Sequence, residues 1–246
     1  MISVCMATHN GEKYLKDQLD SILYQLNSGD EIIISDDGSS DNTLSIIDSF
    51  NDSRIKLIKF LQPENKSVIA CRNLLYASRN FENALKHSSG DIIFLCDQDD
   101  VWYPDKLKII TELLTEYDIV KHNLSIIDGI GNLIEKDYYN KNIQTNRNWF
   151  HLIKYLPFRG CCMAFRRWIL EESLPFPNEC LQHDSWIGMV ARQNKAKFYY
   201  CETPLIYHRI HGDNISELTA NPIKYKIQYR LILINNLIFK YLNHIK

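Results

Sequence analysis

Three carboxylates crowd the tetrapeptide Asp97-Gln98-Asp99-Asp100, directly behind the apolar run Ile92-Ile93-Phe94-Leu95-Cys96. Acids packed this closely repel one another, and each resists ionising. A hard divalent cation removes the conflict. Magnesium takes one or two protein carboxylates and completes its shell with substrate phosphate oxygens. The apolar run, bounded in front by Gly90-Asp91, reads as a buried strand. The carboxyl ends of such strands are where open α/β sheets bind ligands. The segment therefore predicts a divalent metal held against a diphosphate, in an enzyme that handles a nucleotide.

Three further constellations bear on the same chemistry. Ser35-Asp36-Asp37-Gly38-Ser39-Ser40-Asp41 also lies between a strand-like and a helix-like run. A carboxylate there suits a base N–H or a ribose hydroxyl, although Asp-Gly and Ser-Asp are also ordinary turn and cap chemistry. Thr8-His9-Asn10-Gly11 follows a third strand, so three loops would converge on one sheet edge. Farther on, Asp184 in Gln182-His183-Asp184-Ser185-Trp186 either caps a helix or projects from its start as a general base. Arg209 and His211 stand two apart in His208-Arg209-Ile210-His211-Gly212-Asp213-Asn214. That spacing suits pyrophosphate binding or metal ligation.

The elements that must position these residues alternate in the first half. Strands are expected at 2–7, 31–35, 55–60 and 92–96, and helices at 13–25, about 41–50 and about 67–86. This βαβαβαβ order implies a parallel sheet with right-handed crossovers. The second half is mixed. A helix opens at Pro104-Asp105-Lys106, a hairpin spans 124–133 around Gly129 and Gly131, and short strands fall at 160–165, 197–200 and 205–208. Another helix begins at Asp184.

The chain has 246 residues, 45% of them hydrophobic, enough for one large α/β domain with a sizeable core. Its formal net charge of −2 speaks against nucleic acid as a main partner. Seven cysteines without C-x-x-C spacing suggest buried, reduced thiols in a cytoplasmic protein. No leader-like segment opens the sequence, and no apolar stretch is long enough to span a membrane. Residues 221–246 hold Lys224, Lys226, Arg230, Lys240 and Lys246 and no acid, and Ile223, Ile227, Leu231, Ile234, Ile238, Tyr241 and Ile245 recur at steps of three or four. That is a basic amphipathic helix. It either lies on an anionic membrane surface or packs on the core with its basic face in water.

Taken in order, Met6-Ala7-Thr8-His9-Asn10-Gly11, Ser35-Asp36-Asp37-Gly38-Ser39-Ser40-Asp41, Leu95-Cys96-Asp97-Gln98-Asp99-Asp100-Val101-Trp102, Gly160-Cys161-Cys162-Met163, His183-Asp184-Ser185-Trp186 and the His208–Asn214 motif resemble family 2 of the inverting nucleotide-sugar glycosyltransferases. The resemblance covers roughly residues 1–215 and is nearest to the rhamnosyltransferase-like branch that builds bacterial surface polysaccharide. It implies a GT-A fold: an α/β, Rossmann-like mixed sheet flanked by helices in a single domain. Residues 1–100 would form the nucleotide-sugar half, 101–215 the acceptor half, and 216–246 a C-terminal amphipathic helix. By the same resemblance Thr8, His9, Asn10, Asp36 and Asp37 would line the nucleotide site. Asp97 and Asp99 would form the D-x-D motif for Mn²⁺ or Mg²⁺ and the donor diphosphate. Asp184 would be the catalytic base, Arg209 would close over the diphosphate, and His211 would join Asp97 and Asp99 at the metal. His9 and His208 stand where the family commonly has Tyr, and Asp213 where it has Asn. The implied donor is dTDP-rhamnose or a UDP-hexose. The implied acceptor is an O-antigen or capsule glycan growing on undecaprenyl diphosphate, met by an enzyme peripheral to the inner face of the plasma membrane. A phosphoacceptor signalling module and a catalytically inactive scaffold of the same fold are the competing readings. The mixed second half, Asp184 and His211 argue against the first, and the intact Asp97, Asp99 and Asp184 against the second.

Overall fold

The computed structural model describes residues 1–62, 72–138, 148–212 and 223–244. A nine-stranded sheet runs through it in the order β3-β2-β1-β4-β8-β6-β9-β5, with β7 added on β6. The first four are β1 (Ile2–Thr8), β2 (Glu31–Asp36), β3 (Ile55–Lys59) and β4 (Ile92–Cys96). They pair in parallel, with Met6 beside both Ile34 and Cys96, so their carboxyl ends share one edge. The expected alternation is present. The intervening helices are α1 (Leu15–Leu23), α2 (Thr43–Ser49) and α3 (Arg72–Lys86).

β1, β2 and β4 read as largely apolar runs because both faces are covered, whereas the edge strand β3 exposes Lys56 and Lys59. Val4, Met6, Ile32, Ile34, Phe94 and Cys96 face α1, α2 and α4 (Lys106–Leu113) in one core. Cys5, Ile33, Ile93 and Leu95 point the other way, into a second core with α3, α6 (Arg167–Ser173) and α7 (His183–Gln193). Each fully buried side chain of this size contributes on the order of 1.5–3 kcal/mol. The six described cysteines are buried and free, as expected; Cys71 lies outside the described residues.

The second half departs from the sequence expectation in detail. β6 (Ile119–Ile127) begins five residues before the anticipated hairpin strand and turns through 128–132 into β7 (Leu133–Glu135). Residues 160–162 form a 3₁₀ turn, and β8 (Met163–Arg166) follows it, antiparallel to both β4 and β6. The two strands expected at 197–200 and 205–208 are one, β9 (Phe198–Arg209). Its parallel pairing with β6 shifts register around Asn123, which lets Pro204 sit inside the ladder. β5 (Val101–Trp102), α5 (Trp149–Tyr155) and α6 were not expected, being two to seven residues long with weak periodicity. β5 pairs antiparallel with β9, and this fastens the end of β9 beside the acids that follow β4.

α8 (Ile223–His244) matches the expected C-terminal helix. No described helix is long and apolar enough to cross a membrane.

Candidate active site

The three strand-end loops of the parallel half are laced together. Thr8 is buried and donates from Oγ1 to Asp36 Oδ2 at 2.8 Å. Asp36 also accepts from the Ser39 backbone N–H and hydroxyl, and the Asp37 N–H donates to the Thr8 carbonyl at 2.9 Å. Thr8 and Asp36 therefore lie under the loops and shape them, with their polar atoms engaged inside the chain. Asn10 adopts a left-handed backbone, φ 49°, and its Oδ1 accepts the Ser40 N–H. Asp41 takes the Glu12 N–H and the Thr43 N–H and hydroxyl. It sits one residue ahead of Asn42, which is the N-cap of α2.

His9 and Asp37 are the members of this group that remain open to a ligand. His9 is exposed and its Nδ1–H donates to the Asp37 carbonyl at 2.7 Å, leaving Nε2 to accept from Asn10 Nδ2. The Asp37 carboxylate meets Gln62 Nε2 at 2.8 Å, and partial burial raises its pKa. A residue absent from the sequence-based set joins this loop to the acids of β4. The Gln98 amide accepts from the His9 N–H at 3.0 Å and donates to the His9 carbonyl at 3.1 Å. Gly11 leaves room for it, because a Cβ there would fall 2.5 Å from Gln98 Oε1 and displace the amide. The signal was in the sequence: Gln98 separates the two Asp residues of the motif.

The acids after β4 divide by environment. Asp100 is buried, and its Oδ1 accepts from His208 Nδ1 at 2.8 Å and from the Arg209 N–H at 3.2 Å. The His208 imidazolium holds the Asp100 pKa down despite burial, and that carboxylate outweighs burial to lift His208 to about 9. Asp97 has no such partner of its own. Burial, then the charges of Asp100 and Asp99, push it up to about 7. Asp99 meets His211 Nε2 through Oδ2 at 2.9 Å.

Two groups of donors can therefore be weighed for a metal. Asp100, Cys161 and His208 bring ligand atoms within 4.8 Å of one another. There the imidazolium already supplies the positive charge, at hydrogen-bond distance from the carboxylate. Asp97, Asp99 and His211 have two carboxylates against one imidazole, and Asp97 carries the unresolved repulsion. By residue type that set suits a hard divalent cation, but among the described residues its ligand atoms do not all come within 4.8 Å of one another as those of Asp100, Cys161 and His208 do.

β9 delivers Arg209 and His211 to this place by long-range contacts. The Arg209 Nε–H donates to the Asp99 carbonyl at 3.1 Å, and its guanidinium lies 4.6 Å over the ring of Tyr14 and 3.6 Å from Asp17. Arg209 is buried in this arrangement, so it braces the Asp99 loop from below. The Tyr14 ring also packs on His211, with centroids 4.8 Å apart. Its hydroxyl is buried with no hydrogen-bond partner among the described residues. Tyr14 escaped the sequence reading because its period fits an ordinary core position ahead of α1.

Asp184 arrives from α7. The α7 start is fixed on α3 by the His183 N–H to Ser78 Oγ bond at 3.0 Å and by His183 stacking on Phe81 at 4.0 Å. Burial holds His183 below the usual histidine range. Asp184 Oδ2 accepts the Gly160 N–H at 3.2 Å. A Cβ on Gly160 would meet His183 Nε2 at 2.9 Å, Leu95 at 3.7 Å and Asp184 Cβ at 3.8 Å. Leu95 is the penultimate residue of β4, two before Asp97, so the base candidate and the acids share one end of β4. Asp184 lies partly buried in the first turn of α7, whose N-cap is Gln182, so it is not the cap that one of the two sequence readings expected. Asp213, with the rest of 213–222, lies outside the described residues.

The sequence profile described as Glycosyl transferase family 2 matches residues 3–174. The dTDP-rhamnosyl transferase RfbG of Shigella flexneri is 31% identical over 244 residues, covering 94% of this chain and 79% of that protein. The UDP-Glc:alpha-D-GlcNAc-diphosphoundecaprenol beta-1,3-glucosyltransferase WfgD of Escherichia coli is 32% identical over 129 residues, 52% of this chain and 45% of its own length. Among solved structures, S. aureus TarS residues 1–349 in complex with UDP-GlcNAc superposes with a TM-score of 0.68 at 19% identity, covering 96% of this chain and 66% of TarS 1–349. That likeness extends to the mixed sheet and its flanking helices, the GT-A arrangement.

Proposed function

The chain belongs to glycosyl transferase family 2, and on that premise we propose that it moves a sugar from dTDP-rhamnose or a UDP-hexose to a hydroxyl of a growing, lipid-linked bacterial surface glycan, with inversion at the anomeric carbon. The observation that carries the reading is the gathering of His9, Asp37, Asp97, Asp99, His211 and Asp184 at the end of β4 and β1. The names of RfbG and WfgD support the donor class, and that of WfgD supports a diphosphoundecaprenol acceptor.

In this reading His9 and Asp37 take the nucleotide, with Asp37 accepting from the base or ribose. Asp97, Asp99 and His211 hold Mn²⁺ or Mg²⁺, which when bound neutralises charge developing on the leaving diphosphate. Thr8, Asn10 and Asp36 set the loop shapes, Gln98 locks the nucleotide loop to the acids, and Arg209 braces Asp99. Asp184 removes the proton from the acceptor hydroxyl as that oxygen attacks the anomeric carbon from the face opposite the diphosphate. Such help contributes about 10²–10⁴ in rate. The Gly160 N–H holds the Asp184 carboxylate in place for it. One displacement, with no enzyme nucleophile, inverts the configuration.

A panel of nucleotide-sugars tested by thermal shift and by nucleoside diphosphate release, with and without Mn²⁺, checks the proposal. Metal-dependent stabilisation by a dTDP- or UDP-sugar is expected. Indifference to every donor would favour a scaffold that has kept the fold without the activity.

A further inference from the structure

α8 packs on the domain through Leu233, Leu237, Arg230 and Lys240, and it carries a second apolar face outward. Arg230 donates from Nε to the Ile153 carbonyl at 2.9 Å and from a guanidinium nitrogen to the Lys154 carbonyl at 2.7 Å, tying α8 to the last turn of α5. Lys240 lies 3.8 Å from Glu172 of α6, and Leu233 and Leu237 are buried in the core that includes α7. On the opposite side Ile227, Leu231, Ile238, Phe239, Tyr241 and Leu242 are each more than half exposed. A helix that only packs on a domain leaves a polar face outward. Contiguous exposed apolar surface of this kind marks an interaction site. The tied helix, α5, adds Trp149, Phe150 and Tyr155 as exposed aromatics, with Lys154 exposed beside them.

Two occupants suit such a face: a second copy of α8 or a lipid surface. The steps of four and three from Ile227 through Tyr241 would serve as a coiled-coil seam. Charge decides between them. Arg230 and Lys240 are engaged inward, whereas Lys224 of α8 and Lys154 of α5 are exposed, and residues 221–246 hold no acid. Two copies laid side by side would bring like charges together with nothing to offset them. An anionic leaflet complements them, and aromatics beside lysines are what a helix lying in a membrane interface presents.

We propose that the outward face of α8, with the α5 aromatics, lies on an anionic lipid surface and brings the Asp184 side of the domain to a lipid-linked acceptor. The inference rests on the acceptor reading above, and its test separates the two. The full chain is floated with vesicles of phosphatidylglycerol and phosphatidylcholine, and with phosphatidylcholine alone, as wild type, as Leu231→Glu/Ile238→Glu and as Lys224→Glu. Wild type is expected to float with the anionic vesicles only. The double variant should lose at least tenfold of that binding and Lys224→Glu a smaller part. Nucleoside diphosphate release from the donor chosen by the panel should be the same in all three. Undiminished flotation of the double variant, or equal binding to neutral vesicles, would overturn the proposal. So would a wild-type dimer in light scattering that the double variant dissolves and that ignores vesicles. Flotation without donor turnover would sink the transferase reading and leave the lipid surface standing.

Discussion

β3, β2, β1 and β4 run parallel, and β1, β2 and β4 end in acid-bearing loops a few residues long, whereas β8, β6, β9 and β5 mix directions and bring in single residues from distant sequence. In the parallel half each βα repeat returns the chain to the same edge. Any polar loop written directly after a strand therefore lands at the site. In the mixed half nothing so regular operates. Asp184 depends on His183 stacking on α3 and on Gly160. His211 depends on β5 holding β9 and on Asp100 holding His208. The first half provides a surface for binding, and the second provides groups whose usefulness depends on exact placement.

That contrast predicts different failures. The largest belongs to the second half. Asp184→Asn keeps the acceptor for the Gly160 N–H and removes the base, so turnover should fall by about 10²–10⁴ with donor affinity nearly intact. Lost donor affinity in that variant, read by calorimetry, would move Asp184 out of the base role. Asp99→Ala should next weaken metal-dependent donor binding and leave any metal-independent component unchanged. The Mn²⁺ titration of donor binding reads this directly.

The acids also differ from one another in pH. With its pKa raised to about 7, Asp97 binds a proton in the folded state over a range where the unfolded chain has lost it. Stability without metal should therefore fall as pH rises from about 4 to 7 on account of Asp97. Mn²⁺, which requires the ionised form, should bind more weakly below pH 7. The Asp100–His208 pair acts in the opposite sense at each end. The lowered Asp100 pKa gives stability that is lost in acid, and the raised His208 pKa gives stability that is lost as pH climbs through about 9. Melting curves across pH, with and without Mn²⁺, should show the metal relieving the decline toward pH 7 and leaving the loss near pH 9 in place. A metal effect at pH 9 alone would reverse the assignment of the two groups.

Tyr14 sharpens the comparison at smaller scale, because it stands in the first half and supports residues of the second. Tyr14→Ala should raise the KM for donor about tenfold by releasing Arg209 and His211, with kcat less affected. Tyr14→Phe should restore wild-type behaviour, since the hydroxyl has no hydrogen-bond partner among the described residues. Equal damage from both would place the contribution in the hydroxyl instead of the ring.

The parallel half was legible because burial on both faces forces continuous apolar runs, and the residues that end each run are the site. The loops that carry Asp97, Asp99, Asp37 and His9 could be picked out on those grounds, and the family resemblance singled out the individual residues within them. The mixed half was less legible for physical reasons. β5 is two residues long, too short for any period, yet it fixes the end of β9. β9 looked like two strands because Pro204 and a register shift interrupt its pattern. Thr8, Asp36 and Arg209 were expected, by the family resemblance, to meet the donor, and their hydrogen bonds turn them inward. Such pairing is a matter of geometry that residue type does not reveal. The α8 periodicity was visible, and its direction was not, because which face packs depends on Arg230 finding the free carbonyls of α5.

The account's central claim is that donor binding belongs to the acids after β4 while proton removal belongs to α7. Calorimetric titration of the selected donor into wild type, Asp184→Asn and Asp99→Ala, with and without Mn²⁺, tests it most directly. The account predicts matching Mn²⁺-dependent affinities for wild type and Asp184→Asn and loss of the Mn²⁺ dependence in Asp99→Ala. Full Mn²⁺-dependent affinity in Asp99→Ala, or its loss in Asp184→Asn, would contradict it.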